Sequence, residues 1–193
     1  VEYRLALSNP FPDSFNDAYG ALNWVVNNAE NLGVDVKRIA VGGDSAGGAL
    51  AAGVAQKSRD NKLADLCGQL LIYPVLDNRC NTPSATDFVD VPLWNALSNK
   101  AMWTMYLKNV DANNPPKYAA PGLGSVIDLP KTYIETAEFD PLRDEGLNYA
   151  KALTDCGCNV WWDQGLLPGN NFQRAIPDAL KKSHYVITVF STN

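Results

Sequence analysis

The sequence contains a single histidine, His184, and none of its four cysteines forms a Cys-x-x-Cys pair. The cysteines are Cys67, Cys80, Cys156 and Cys158. Zinc sites need clustered cysteine and histidine ligands, so this composition argues against a bound zinc ion. Isolated reduced thiols in a cytoplasmic protein are the preferred interpretation of the four cysteines.

Long apolar runs and basic clusters are also missing. A membrane-spanning helix needs about 18 or more consecutive apolar residues, and the sequence has no such run. It also lacks the basic start and apolar stretch of a secretory signal peptide. The formal net charge is −5, and no basic run is longer than the pairs Lys37-Arg38 and Lys181-Lys182. This charge pattern argues against nucleic-acid binding.

The apolar content of the sequence is sufficient for one domain. Of its 193 residues, 46% are apolar, which allows one substantial core over residues 1–193. Strands are predicted at 1–7, 38–41, 69–75, 131–137 and 159–163. Helices are predicted at 14–32, 49–58, 98–108, 147–156 and from Pro177 onwards. Strands that alternate with helices are typical of an α/β fold with a mostly parallel sheet and helices on both faces.

Local features define the ends of the first helix. Ser14 is predicted as its N-cap, with Asp17 three residues later as a weak capping box. Apolar residues recur at helical spacing from Ala18 to Leu32. Gly33 follows directly, and a glycine in this position is typical of the end of a helix.

The most informative motif is Gly-Asp-Ser-Ala-Gly-Gly at residues 43–48, between a predicted strand and a predicted helix. Its first five residues match the Gly-x-Ser-x-Gly nucleophile turn, in which a serine is held on a sharp, strained bend that projects its hydroxyl. Side chains two positions before and after that serine would collide with the neighbouring backbone, so both positions need glycine. The turn residues are Gly43, Asp44, Ser45, Ala46 and Gly47.

Two roles follow from this motif. Ser45 is the candidate nucleophile, and the N–H of Ala46, at the start of the following helix, is the candidate donor to an oxyanion. A glycine-rich turn without a catalytic role is the alternative. The context of a strand before and a helix after the motif favours the nucleophile.

Several segments resemble the hormone-sensitive-lipase family of esterases, which have the α/β-hydrolase fold. They are residues 1–6 (Val-Glu-Tyr-Arg-Leu-Ala), 43–48, 70–74 (Leu-Leu-Ile-Tyr-Pro) and 138–146 (Glu-Phe-Asp-Pro-Leu-Arg-Asp-Glu-Gly). The resemblance covers residues 1–158 and then decays. It implies hydrolysis of short- to medium-chain acyl esters, with an insertion at residues 77–130 that helps to cover the site. Such acyl transfer needs neither a metal nor a nucleotide cofactor.

The resemblance also implies an acid. Family members carry a carboxylate just after the strand predicted here at 131–137, and the matching residue is Asp140. Functional groups cluster beyond the carboxyl ends of parallel strands, where Asp140 is expected. Its task would be to hold an imidazole in one tautomer and to stabilise the imidazolium. Of the competing carboxylates Glu138, Asp144 and Glu145, the last two are interpreted as charges and caps at a helix N-terminus.

The base of the catalytic triad is missing. The resemblance places a histidine after the last strand, in a segment like Gly-x-x-His-Gly-Phe, but residues 166–172 read Leu-Leu-Pro-Gly-Asn-Asn-Phe. Aligned on the phenylalanine, Asn170 stands at the histidine position, and its amide is not a useful base at neutral pH. His184 falls near Leu180 and Ile187 at helical spacing and is interpreted as a packed structural histidine. If residue 170 is asparagine, efficient turnover is not expected.

Two further departures concern the ends of the chain. In the family, a His-Gly-Gly-Gly loop that completes the oxyanion hole lies upstream of the segment that matches residues 1–6. A further upstream strand lies in the family sheet between the strands predicted here at 1–7 and 38–41. Without that strand, backbone groups would face a gap. With Val1 rather than Met at the start, this predicts that N-terminal strands are missing. An error or frameshift in the sequence over residues 159–193 is the alternative to a true loss of the histidine.

Two functions therefore stay open. One is a serine carboxylesterase that acts on a small-molecule acyl ester. The other, favoured by Asn170, is a non-catalytic small-molecule binder on the same scaffold, and a non-functional product is a weaker third. Trp94, Trp103 and Tyr106 are candidates for lining an acyl pocket, although Trp103 and Tyr106 could equally pack their helix onto the domain. The oligomeric state is open, a homo-oligomer included.

Overall fold

Five parallel strands form the sheet that carries the candidate site. The computed structural model describes residues 1–162 and 185–189. Its strands are β1 (Ile39–Asp44), β2 (Gly68–Ile72), β3 (Thr132–Glu135), β4 (Val160–Trp162) and β5 (Tyr185–Val189). Their spatial order is β4-β3-β2-β1-β5, and every neighbouring pair is parallel. The predicted α/β class with a parallel sheet is therefore confirmed.

The register of the sheet aligns the ends of its three central strands. Asp44 pairs with Ile72 across β1 and β2, and Ile72 pairs with Glu135 across β2 and β3. Because these strands are parallel, the segments that follow them leave the sheet from one common edge. Ser45 and the turn that contains Asp140 both start from this edge.

Six helices surround this sheet within the described ranges. They are α1 (Asp13–Asn27), α2 (Ala29–Leu32), α3 (Ala46–Asn61), α4 (Pro83–Asp87), α5 (Ala96–Tyr106) and α6 (Arg143–Asp155). Short 3-10 helices lie at Val36–Arg38 and Pro121–Leu123. The small-residue helix α3 packs against β1, β2 and α1, and α6 packs against β3 and β4. The helices predicted at 49–58, 98–108 and 147–156 are confirmed as α3, α5 and α6, which follow β1, β2 and β3 in the chain.

The core lies between the sheet and the helices packed on it. Ile39 of β1, Leu71 of β2 and Ile134 of β3 are at most 1% exposed, as are Leu22 of α1 and Leu153 of α6. Burial of such side chains contributes about 1.5–3 kcal/mol each. Of the helices that the structure describes, none has both the length and the apolar character needed to cross a membrane.

The predicted strand at residues 1–7 is wrong. Residues 1–5 are irregular and lead into a turn, in which the N–H of Asn9 donates to the carbonyl of Leu5 at 3.0 Å. Leu5 and Leu7 are 47% and 82% exposed, which a strand buried in the sheet would not allow. Arg4 instead attaches the segment to α1, because its guanidinium binds Asp17 at 2.7 Å.

The predicted N-cap of the first helix is also wrong, because the N-cap is Pro12, two residues before Ser14. Helix α1 begins at Asp13, so Ser14 lies inside the first turn and its side chain makes no cap. Ser14 is only 3% exposed, and Asp17 binds Arg4 rather than closing a capping box. The helix breaks at Asn28 before α2, which ends at Gly33 with φ 65° as predicted.

The helix predicted from Pro177 onwards does not include residues 185–189. Residues 185–189 form β5, which pairs with the free side of β1 in the register Ile39–Tyr185 to Gly43–Val189. Tyr-Val-Ile-Thr-Val is rich in aromatic and β-branched residues, which favour strands. In this structure β5 lies on the side of β1 opposite β2, where a gap was expected, and residues 40–43 of β1 pair with a strand on both sides. The helix start predicted at Pro177 lies outside the described residues.

Candidate active site

Ser45 occupies a sharp bend between β1 and α3. Its backbone angles are φ 50° and ψ −116°, a region that non-glycine residues rarely adopt and that costs about 1–3 kcal/mol. Hydrogen bonds hold the bend on both sides. The Ser45 N–H donates to the carbonyl of Ile72 at 2.9 Å, and the Ser45 carbonyl accepts the N–H of Val75 at 3.2 Å. The surrounding backbone therefore fixes a conformation that the serine would not adopt on its own.

Gly43 and Gly47 approach each other closely across this bend. A Cβ atom at position 43 would lie 2.4 Å from the carbonyl carbon and oxygen of Gly47. Gly48 is confined less severely, since a Cβ there would lie 2.9 Å from the Cβ of Pro74 in the segment after β2. Backbone cannot move aside as a flexible side chain can, so residue 43 must be glycine if the bend is to keep its shape.

Replacing Gly43 by alanine is expected to lower the free energy of unfolding by about 2–4 kcal/mol, because the new methyl group overlaps backbone atoms. Gly20 provides the matched control, since it lies exposed in α1 and a Cβ there would have no atom within 4 Å. Gly20→Ala should raise stability by about 0.5–1 kcal/mol. Urea denaturation followed by circular dichroism measures both, and equal stabilities of Gly43→Ala and the unchanged chain would contradict the close approach.

The N-terminus of α3 lies directly after the serine. Ala46 is the first residue of this helix of 16 residues, and it is exposed. The first N–H groups of a helix have no carbonyl acceptor within the helix, and the helix dipole adds a partial positive charge there. A negative charge that develops beside Ser45 is therefore favoured at this end of α3.

Asp140 lies in the turn that joins β3 to α6. Its Oδ1 accepts the N–H of Leu142 at 2.8 Å, and its carbonyl accepts the N–H of Arg143 at 3.0 Å. Burial raises the pKa of Asp140, and the hydrogen bond from Leu142 opposes that shift. Within residues 1–162, no group donates to Oδ2. One carboxylate oxygen is thus fixed by the turn, and the other is available to a partner.

Carboxylates from both candidate turns act on the phenol of Tyr73. Tyr73 directly follows Ile72 on the central strand, and burial raises the pKa of its phenol. Three carboxylates raise it further, those of Asp44, Glu135 and Asp140. The residue that precedes the serine and the candidate acid thus both act on Tyr73. Its φ of 34° adds a second unusual backbone conformation to this edge of the sheet.

The carboxylates that compete with Asp140 have other partners. Glu138 is 75% exposed and pairs with Arg143 at 3.3 Å. Asp144 accepts the N–H of Ser84 at 2.8 Å and so joins α6 to α4. It stays in the first turn of α6, in agreement with its interpretation as a charge at a helix N-terminus.

Glu145 also lies in the first turn of α6, but its interpretation as a charge or cap of this helix requires a correction. It is only 3% exposed, and its Oε1 accepts the N–H of Leu76 at 2.6 Å. Burial raises its pKa to about 8. Its burial could have been expected from the sequence, because Glu145 lies at helical spacing from Tyr149 and Leu153 on the buried face of α6.

Asn170, at the position where the resemblance expects a histidine, and His184, interpreted as a packed structural histidine, lie outside the described residues, so both interpretations stay predictions.

The aromatic candidates for an acyl pocket lie in α5 and just before it, where they pack against the core. Trp103 is 4% exposed, and its ring lies 5.8 Å from that of Tyr106. The ring of Tyr106 in turn lies 5.7 Å from that of Phe11 between centroids, and the backbone carbonyl of Tyr106 accepts the Phe11 N–H at 2.8 Å. Trp94 is half-buried against the core. These contacts are those of the packing alternative for Trp103 and Tyr106, and an acyl-pocket role stays a prediction.

The comparisons with known proteins agree with this geometry. Residues 1–165 match a family model described as the alpha/beta hydrolase fold. Esterase LipI of Mycobacterium tuberculosis is 40% identical over 161 residues, which are 83% of this chain and 50% of that protein. The ethyl acetate hydrolase of Pseudomonas putida is 37% identical over 171 residues, 88% of this chain and 53% of that protein. The chain thus spans about half the length of these curated relatives.

A solved structure gives the same result in three dimensions. The structure of a bacterial heroin esterase superposes with a TM-score of 0.80 at 44% identity, over 83% of this chain and 52% of that one. The residues that match the family model include β1 to β4, α3 and the turns with Ser45 and Asp140. The chain therefore belongs to the alpha/beta hydrolase fold family whose hormone-sensitive-lipase-like esterases its motifs resemble.

Proposed function

We propose that the protein is a carboxylic-ester hydrolase with Ser45 as its nucleophile and Asp140 as its acid. The observation that carries this proposal is the strained backbone of Ser45, which is held between a buried strand and the N-terminus of α3. Strain of this kind is retained where the surrounding structure and a function require it. The names of the relatives, esterases and an ethyl acetate hydrolase, support the same chemistry.

In the proposed reaction, Ser45 Oγ attacks the ester carbonyl carbon and its proton passes to a base. The carbonyl oxygen becomes an oxyanion next to the N–H of Ala46, where the positive end of α3 stabilises it. The C–O bond to the alcohol then breaks, the alcohol leaves with the proton, and an acyl group stays on Ser45. Water, activated by the same base, hydrolyses this acyl-enzyme and restores the serine hydroxyl.

Asp140 would orient the base in this scheme, since its free Oδ2 can accept an imidazole N–H while Leu142 holds Oδ1. The position of the base is occupied by Asn170, an amide that cannot take the proton at neutral pH. The proposal therefore includes slow turnover for the chain with this sequence.

The substrate class is proposed as small acyl esters of short to medium chain length. The name of the Pseudomonas putida relative, an ethyl acetate hydrolase, supports the short end of this range. Residues 77–130, which contain α4 and α5, are proposed as the insertion that covers the site. A cytoplasmic location is proposed from the unpaired thiols of the four cysteines.

Mass spectrometry of the acyl-enzyme tests the proposal. The intact chain is incubated with p-nitrophenyl butyrate, quenched in acid and digested, and a butyryl group is expected on the peptide that contains Ser45. A weak base slows deacylation as well as acylation, so the adduct should persist. Ser45→Ala should lose the adduct, whereas Ser8→Ala, an exposed serine in the N-terminal turn, should keep it. Butyryl groups only on other residues would refute the nucleophile.

A further inference from the structure

Glu145 connects α6 to the segment that follows β2. This segment, residues 73–77, is here named the β2 exit loop. Oε1 of Glu145 accepts the N–H of Leu76 at 2.6 Å and that of Asp77 at a longer 3.4 Å. The side chain is 3% exposed, so water does not compete for these two donors. Both N–H groups belong to irregular backbone, which has no strand or helix partner to satisfy it.

The same loop is attached to Ser45. The Ser45 N–H donates to the carbonyl of Ile72 just before the loop, and the Val75 N–H inside the loop donates to the carbonyl of Ser45. The neighbouring Leu76 N–H points to Glu145. Consecutive loop residues therefore bind the serine on one side and α6 on the other.

The turn of Asp140 is attached to the same end of α6. The carbonyl of Asp140 accepts the Arg143 N–H, and its Oδ1 accepts the Leu142 N–H. Leu142 is the N-cap residue of α6 and is 2% exposed. Asp140 is therefore attached to the first turn of α6, to which Glu145 also belongs. Hydrogen bonds join Ser45 to the β2 exit loop and this loop to Glu145, and the backbone of the first turn of α6 joins Glu145 to the turn of Asp140.

We propose that Glu145 is a positioning residue that sets the separation between Ser45 and Asp140 by holding the β2 exit loop to the first turn of α6. This inference rests on the proposed function only for the roles of Ser45 and Asp140, because the hydrogen bonds of Glu145 can be tested without any reaction. A displacement of about 1 Å in such a site can cost on the order of 100-fold in rate.

The surroundings of Glu145 make this connection sensitive to pH. The titratable groups that face it are the carboxylates of Asp77 and Asp140 and the thiol of Cys80. Arg79 neutralises only Asp77, which it binds at 2.6 Å. Oε2 of Glu145 is buried and has no hydrogen-bond partner among the described residues. With its pKa raised to about 8 by burial, Glu145 is neutral at pH 7, and ionisation above pH 8 places a charge beside Asp140.

Two substitutions separate the hydrogen bond from the charge. Glu145→Gln keeps an oxygen that accepts the Leu76 and Asp77 N–H groups and stays neutral at every pH. Glu145→Leu fills similar space but accepts no hydrogen bond. Glu30→Gln, an exposed glutamate on α2, is the matched control. Protection of the Leu76 and Asp77 amides against hydrogen exchange is measured by NMR, and kcat and KM are measured with p-nitrophenyl butyrate between pH 6 and 10.

The two variants are expected to differ in amide protection and in kcat. Glu145→Leu lowers the protection of the two amides by at least about tenfold and lowers kcat by about 10- to 100-fold with little change in KM. Glu145→Gln is expected to keep the amide protection and kcat at pH 7, and to lack the decline of kcat above pH 8 that is expected of the unchanged chain. Equal losses in both variants, or unchanged amide protection in Glu145→Leu, would overturn the proposal.

Two measurements keep these outcomes distinct from those of the proposed function. If no hydrolysis depends on Ser45, the proposed function fails, while the amide protection still decides the role of Glu145. If Glu145→Leu does not fold, Glu145→Gln is compared with the unchanged chain by urea denaturation. The unfolded carboxyl loses its proton near pH 4.5 and the folded one near pH 8, so rising pH destabilises the unchanged chain over this interval. A stability difference from Glu145→Gln that does not vary over this interval would contradict the proposal.

Discussion

Replacing Asn170 by histidine is expected to increase ester hydrolysis by about 10²–10⁴-fold, the usual contribution of a positioned general base. The expectation rests on the proposed roles of Ser45, whose backbone is held on a sharp bend, and of Asp140, whose Oδ1 alone is bound by the N–H of Leu142. An imidazole at position 170, where the resemblance expects a histidine, would supply the missing proton acceptor. Initial rates with p-nitrophenyl butyrate at pH 7 to 8 measure the gain.

The matched control for this gain is Asn171→His, which places the same imidazole one position along the chain and should produce no increase. Adding Ser45→Ala to Asn170→His should remove the gain, since the residues of a triad act as a unit and their effects are strongly non-additive. A gain that survives Ser45→Ala would show that the new histidine hydrolyses the ester by itself. In that case Ser45 is not the nucleophile of the reaction.

The parts of the site that the sequence predicts are those determined by local constraints. The glycine at position 43, the serine at 45 and the helix that starts at 46 lie within a few residues, and sterics alone link them. The same holds for β2, whose apolar run identifies a buried strand. The position of Asp140 could be expected at the sheet edge because parallel strands end together.

Contacts between distant parts of the chain explain where the sequence predictions fail. Residues 185–189 pair with β1, more than a hundred residues earlier, and no helical periodicity could reveal that partner. Residues 1–7 have the composition of a strand, but in this structure they are held by an ion pair between Arg4 and Asp17 instead of a sheet neighbour. Glu145 resembles a surface charge at a helix start until the β2 exit loop buries it. Each of these outcomes depends on packing that residue types alone do not determine.

Asp140→Asn, made in the Asn170→His chain, is expected to reduce kcat by up to about 10⁴-fold. The asparagine Oδ1 can still accept the Leu142 N–H, so the turn before α6 should keep its shape. What changes is the charge: an amide cannot stabilise an imidazolium, and its NH₂ group can hold the imidazole in the wrong tautomer.

Glu138→Gln is the matched control for this substitution, because Glu138 is the exposed carboxylate two residues earlier in the same turn. It should change kcat by less than about threefold, since an exposed ion pair such as that with Arg143 contributes at most about 1 kcal/mol. Unfolding curves of the two variants should nearly coincide. If Glu138→Gln abolishes hydrolysis while Asp140→Asn retains it, the acid of this site is Glu138. The half-buried Asp140, whose pKa is already raised by burial, would then serve only to close the turn through its bond with Leu142.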